Sequence, residues 1–267
     1  MRIVPLGQGF GAEVDGFDLA RAGDGADIAR LQAAWRRHHL LIFRAAHVIA
    51  PERQVEVAGW FGPVLCEDGA WTVLDNAEAA GRVVLPFHSD ITFCPAPLEG
   101  ISLCPLALPQ GPTSTSFVDN AQAWRLLPAA LKARLEGRKA RHSFSSDGEI
   151  DLGLASFEHW HPACLTHPET GEKLLFVTEH HVDLIEGLSP GESAEVLRGC
   201  FAELYAPARR YEHVWRAGDL VIWDNLAVQH ARTAPAEPAC GRRIVRRVQL
   251  GRKGFLAQRA ELREQAV

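Results

Sequence analysis

"WRAGDLVIWDNLAVQHART" (residues 215–233) is the stretch on which the fold turns. Gly218-Asp219 reads as a turn, "LVIW" as a buried strand, and His230 lies just beyond. Two runs of the same kind flank it, "YEHVW" (211–215) and "RRIVRRVQL" (242–250), with a Pro/Ala stretch at 234–239 as punctuation. Similar short runs recur around 71–74, 83–88, 98–106 and 113–118, and "LLIF" (40–43) reads as a short buried strand. A few helices separate them. Residues 24–39 carry Ile28, Leu31 and Trp35 at helical spacing, with Asp24 or Asp27 placed to cap. Residues 51–62 read as a helix with Pro51 in its first turn and Gly62 just past its end. Residues 119–135 look helical with a break near Pro128, and 189–205 put Val196, Leu197, Phe201 and Leu204 on one face. Many short strands with few helices predict a mainly β fold, a jelly-roll-like barrel with helices outside it. The pattern is not a regular βαβ alternation.

The chain has 267 residues, 47% of them apolar and 23% charged, enough to bury a core without staples. No repeat or linker divides it, so one domain over 1–267 is expected. A net charge of −5 gives no basic excess for a nucleic-acid partner. No apolar run approaches the ~20 residues that span a bilayer. The first residues lack the apolar segment of a signal peptide, so the expected location is the cytoplasm. None of the six cysteines are spaced as CxxC, and they read as thiols, several of them buried.

Histidine, at twelve, is the residue to follow. In "LPFHSDITF" (85–93), a strand would point His88 and Asp90 the same way. Spacing alone decides nothing, since His181-Val182-Asp183 repeats it. Context separates the two: His88 sits in an extended apolar setting, whereas His181 lies where a strand end leads into a turn. His230 supplies a third ligand from far along the chain. Two imidazoles and one carboxylate with open positions form the facial triad of non-haem Fe(II) oxygenases. By parity Arg243 and Arg247 share one strand face, and Arg242 and Arg246 the other. A guanidinium suits the far carboxylate of a keto acid such as 2-oxoglutarate. Other readings stand beside this one: hydrogen-bonded polar residues without a metal, a non-oxidative metal-dependent jelly-roll enzyme, or a non-catalytic binding protein. His159 and His161 read as packing or turn residues, and Trp71 as a candidate pocket wall.

The blocks "FHSDITF", "GPTSTSFVDN", "HPACLTHPETGEKLLFV", "GDLVIWDNLAVQHAR" and "RRIVRRV" follow one another in a familiar order. Together with "FGAEVDGFDLA" and "HHLLIFR", they make the chain resemble the taurine dioxygenase / phenoxyacetate dioxygenase family of Fe(II)- and 2-oxoglutarate-dependent oxygenases. The resemblance implies a double-stranded β-helix (a cupin-like jelly roll) with its core strands mostly within 80–250. It implies His88, Asp90 and His230 as iron ligands and Arg243 on the distal carboxylate of 2-oxoglutarate. Thr115 would meet the same carboxylate, although Thr113-Ser114 stand here where the family usually reads Gly-Asp before that threonine. It implies Arg247 on the anionic group of the prime substrate, with Ile91 and Phe93 lining the pocket. Two departures bear on substrate. Val84 stands where taurine dioxygenases carry Asn, and Leu65 or Cys66 near the place of a substrate-binding His. Both remove polar groups, so a small substrate more apolar than taurine is expected, anionic if Arg247 faces inward. It would be oxidised, most simply by hydroxylation, with O2 consumed and succinate and CO2 released; desaturation stays open. Relatives of this kind are often dimers or tetramers, and a homo-oligomer is expected.

Overall fold

Alternation along Asp219–Asp224 divides the molecule into layers. Leu220 and Ile222 pack outward with Leu31 and Trp35 of the helix Gly25–His38 and Val57 of the helix Pro51–Gly59. Val221 and Trp223 point the other way and meet Phe117, Val228 and Val245 between two sheets. The computed structural model describes residues 1–21, 23–45, 47–145, 156–235 and 238–265. Of the Pro/Ala stretch at 234–239, residues 236 and 237 lie outside the described residues.

The larger sheet has seven strands. In spatial order they are Arg2–Pro5, Ala12–Asp15, Leu40–Arg44, Asp219–Asp224, Gly100–Ala107, Ile244–Leu250 and Thr72–Asp75. The facing sheet has four, in the order Tyr211–Val214, Ser114–Asp119, Val228–Arg232 and Leu85–His88. Neighbours are antiparallel throughout, except the pair Ala12–Asp15 and Leu40–Arg44. The two sheets enclose the core of a jelly roll, and helices cover both outer faces. On the four-stranded side, residues 120–210 form a long insertion between two core strands. Its helices Asn120–Leu126 and Pro190–Leu204 pack on Val118, Phe87 and Ala231. Ser189 caps the second of these helices in a reciprocal capping box with Glu192.

The predicted helices form close to their expected limits. Asp24 caps Gly25–His38 by accepting from the Asp27 N–H, and the break at Pro128 separates Asn120–Leu126 from Ala129–Leu135. The helix expected over 51–62 stops at Gly59, because Trp60 and Phe61 turn their N–H groups to carbonyls three residues back. Several elements had no counterpart in the sequence reading. They are the first two strands, the strands Lys139–Ser145 and Ser156–Pro162, the hairpin Cys164–Thr166 with Lys173–Leu175, and the helix Phe255–Gln265; around His181 the expected order is reversed, a turn at 179–181 leading into the strand Val182–Ile185. No helix among the described residues is long and apolar enough to cross a membrane.

Candidate active site

Strand register brings the first two histidines together. Leu85–His88 pairs with Val228–Arg232 so that His88 and His230 are direct partners, their rings 4.3 Å apart. Asp90 joins them by a different route from the one predicted. The strand ends at His88, and residues 89–94 form a turn, so strand alternation does not align residues 88 and 90. The turn itself folds the carboxylate back: Asp90 Oδ1 lies 3.3 Å from His88 Nε2 and 3.6 Å from His230 Nε2. Ligand atoms of these three residues all fall within 4.8 Å of one another. No other group of three or more such residues is found among the described residues.

These groups suit a cation better than they suit each other. His88 Nδ1 lies 2.8 Å from the Pro86 carbonyl, an acceptor only, so Nδ1 carries a proton and Nε2 is the nitrogen a neutral ring would offer a metal. Burial, and then the neighbouring His88, hold the His230 imidazole down to about 3, so that ring is neutral at pH 7. Asp90 is held well below the usual carboxylate range. Burial pulls it upward, but the Arg247 guanidinium, and either imidazole while it carries a second proton, outweigh that pull. A bare nitrogen facing an ionised oxygen at 3.3 Å is repulsive unless a positive charge sits between them. Divalent iron is such a charge, and one oxygen with two imidazole nitrogens is a donor set that fits it.

The triad opens onto a cavity of about 370 Å³. Ile91 and Phe93 line it, as does Leu65. Arg247 lines it as well, reaching Asp90 Oδ2 at 3.3 Å and Thr72 Oγ1 at 3.3 Å. Arg243 and Thr115 do not line this cavity. Arg243 is 4% exposed, and its Nε has no hydrogen-bond partner among the described residues. Burial alone lowers its pKa to about 10, which still leaves a buried charge at pH 7. A buried cation without a carboxylate partner is costly, and an anion is what would relieve it. The 2-oxoglutarate carboxylate fits that need. Thr115 is buried and accepts from Trp215 Nε1 at 3.0 Å, leaving its hydroxyl proton available. The register shift at Ile244/Val245 places its extra residue, Leu106, on the partner strand, so the count along Ile244–Leu250 is unbroken, and Arg243 stands one residue before that strand. Arg246 is buried against Gln54 and the Ile49 carbonyl, and Arg242 pairs with Asp75 at the surface.

Trp71 is 41% exposed and is not part of the cavity wall, although its neighbour Thr72 is. The wall also contains Phe144, Gln249, Phe255 and Leu256, which the sequence reading did not single out, and His180 and His181, which read as structural or exposed histidines rather than as cavity wall. Gln249 was within reach by parity from Arg247. Phe255 and Leu256 belong to a helix whose docking place no local signal announces. His161 donates to the Thr92 and Cys94 carbonyls and acts in packing, as expected. All six cysteines are free, and Cys94, Cys104 and Cys200 are buried.

Residues 2–249 match the family model described as Taurine catabolism dioxygenase TauD, TfdA family. The (S)-phenoxypropionate/alpha-ketoglutarate-dioxygenase of Sphingobium herbicidovorans is 33% identical over 257 residues, covering 86% of this chain and 88% of that protein. The alpha-ketoglutarate-dependent sulfate ester dioxygenase of Pseudomonas putida is 30% identical over 271 residues, covering 92% and 88%. Among solved structures, a taurine dioxygenase from Burkholderia xenovorans superposes with a TM-score of 0.81 at 26% identity, covering 94% of this chain and 91% of that one. A match running nearly end to end on a jelly roll of this topology leaves one assignment: the chain belongs to the TauD, TfdA family and is an enzyme of its class, the Fe(II)- and 2-oxoglutarate-dependent dioxygenases.

Proposed function

We propose that this enzyme oxidises a small organic anion with a substantial apolar part, most simply by hydroxylating it. His88, Asp90 and His230 hold the Fe(II). Arg243 receives the distal carboxylate of 2-oxoglutarate, and the Thr115 hydroxyl donates to the same group. Iron and 2-oxoglutarate together supply the oxidising power, with O2 placing one atom in the succinate formed as CO2 leaves and the other in the substrate. The observation that carries this reading is the convergence of the three ligand atoms at the wall of a largely apolar cavity that also holds a guanidinium.

Each side chain has a separate task. The Pro86 carbonyl keeps a proton on His88 Nδ1, so Nε2 is the nitrogen the neutral ring presents to the metal. Ile91, Phe93, Phe144 and Leu256 keep water from the reacting centre and give the apolar end of the substrate its place. Among the described residues Arg247 offers the only guanidinium in the cavity wall, and the substrate anion docks beside it. Two relatives bear names that fit this chemistry, one for a phenoxypropionate and one for a sulfate ester, both organic anions. Leu65 in the cavity wall argues against taurine, whereas Val84 is exposed and outside that wall, so the change there carries no argument about substrate.

The test is succinate formation across a panel of aryloxyalkanoates, alkyl sulfates, sulfonates and N-modified amino acids, with Fe(II) and 2-oxoglutarate. Turnover is expected with an aryloxyalkanoate or an alkyl sulfate and not with taurine. His88→Ala and Asp90→Ala should each abolish it. Turnover surviving in either variant removes the triad from the reaction, and taurine as the best substrate overturns the substrate reading.

A further inference from the structure

Asp90 sits in a turn, and a turn alone does not hold a carboxylate to a few tenths of an ångström. Its neighbour makes matters worse. Ile91 has φ +63°, in the left-handed region. A β-branched residue there is an outlier that costs about 1–3 kcal/mol. Left to itself, the chain would relax at Ile91 and carry the carboxylate of residue 90 away.

One side chain opposes this from across the barrel. Asn225 is completely buried in the turn between Asp219–Asp224 and Val228–Arg232. Its Oδ1 accepts from the Asp90 N–H at 2.9 Å, and its Nδ2 donates to the Asp90 carbonyl at 3.0 Å. The same Nδ2 donates to the Leu98 carbonyl at 3.0 Å, and the Asn225 N–H donates to the Glu99 carbonyl at 3.0 Å. The amide therefore grips both backbone groups of residue 90, as a neighbouring strand would. Only a carboxamide carries the donor and the acceptor together at this length. His230 stands five residues on, so a single turn fixes the carboxylate ligand through Asn225 and leads directly into the strand of the second imidazole.

We infer that Asn225 is a positioning residue for the metal centre, holding the strained Asp90–Ile91 backbone so that Asp90 Oδ1 stays against His88 and His230. The inference rests on the triad being a metal site. It assigns Asn225 no contact with metal or substrate.

The test is titration of metal-free protein with Co(II), following its visible ligand-field absorption and its Kd, in four chains: wild type, Asn225→Ala, Ile91→Gly and the double variant. Wild type is expected to bind one Co(II) per chain. Asn225→Ala should weaken binding about 10- to 100-fold and alter the absorption band, as loss of a group that orients a ligand does. Glycine tolerates the left-handed conformation, so the loss should shrink to under about 3-fold between Ile91→Gly and the double variant. Wild-type affinity and spectrum in Asn225→Ala would overturn the inference. So would an equal loss in both backgrounds, since Asn225 would then not act through the strained backbone. If Asn225→Ala does not fold, the double variant decides alone: binding close to Ile91→Gly supports the clamp, and absent binding overturns it. No Co(II) binding by wild type, or undiminished binding by Asp90→Ala, would instead remove the metal site itself.

Discussion

An imidazole binds a metal only through a bare nitrogen, and an arginine is buried alone only at a cost. These two constraints make the site testable residue by residue. A guanidinium buried to support the fold is missed when it is replaced. One buried to await a ligand is not, because its removal relieves desolvation. Arg243 is of the second kind by its surroundings, with an unpartnered Nε and 4% exposure. Arg243→Met keeps the volume and drops the charge. Its thermal midpoint without ligands should equal or exceed that of wild type, while the 2-oxoglutarate KM rises at least about 30-fold, equivalent to ~2 kcal/mol. A lower midpoint with an unchanged KM would make Arg243 a structural residue. At this scale the sequence was informative about identity and poor about geometry. That His88, Asp90 and His230 come together was legible through the family resemblance and not through the H-x-D spacing, which recurs at His181. That Asp90 arrives by a turn was not, because the turn is kept by Asn225, 135 positions away.

At the scale of elements, the C-terminal helix Phe255–Gln265 shapes the cavity through one remote carboxylate. Glu67 accepts from the N–H groups of Leu256 and Ala257 at 2.9 and 2.8 Å, satisfying donors that the helix start leaves open. Gly254 makes room for this approach, since a Cβ there would overlap the Glu67 carboxylate. Held in this way, Phe255 packs on Phe93 and Phe157 and, with Leu256, closes one side of the cavity. Glu67→Gln should cost about 1 kcal/mol locally, and Gly254→Ala should displace the carboxylate to similar effect. Both should speed amide hydrogen exchange at Leu256 and Ala257 several-fold and leave exchange in Asp219–Asp224 unchanged. Unaltered exchange at those two amides in both variants would show that Glu67 does not hold the helix. The uneven legibility of elements has the same origin. Asp219–Asp224 could be read because both its faces are buried, giving an unbroken apolar run after a Gly-Asp turn. Ser156–Pro162 could not, because it is only partly covered and mixes Glu158, His159 and His161 with aromatics. The C-terminal helix depends on a partner 189 residues away, and no local period reports that.

For the whole molecule, the histidines set a window of stability. His39, at the left-handed end of Gly25–His38, is 3% exposed, and its Nδ1 lies 2.7 Å from Asp119 Oδ2. Its Nε2 lies 3.2 Å from Glu172, and its ring stacks on His167, which in turn bonds Asp224 at the end of the strand Asp219–Asp224, just before the turn that leads to His230. Burial would lower its pKa, but the bond to Asp119 and the charges of Asp119, Asp224 and Glu172 raise it to about 9. A base raised in the folded state contributes stability fully below its unfolded value near 6.5 and loses it as pH climbs through 9. The shift corresponds to something on the order of 3 kcal/mol. Other histidines act in the opposite direction. Burial, with help from His161 and His159, holds His142 well below 6.5. His161 is lowered to about 4 by burial and then by His159, and His180 and His230 are lowered as well. These groups must gain protons on unfolding in acid, so stability is lost as pH falls below 6.5. The thermal midpoint of metal-free protein should therefore be highest near neutral pH and decline on both sides. His39→Gln should flatten the alkaline decline between 6.5 and 9. His142→Phe, replacing a buried ring packed on Phe176, should remove part of the acid decline and leave the alkaline one intact. Midpoints measured across pH 4 to 10 check both, and an alkaline slope unchanged in His39→Gln would show that the Asp119 pair does not set that limit.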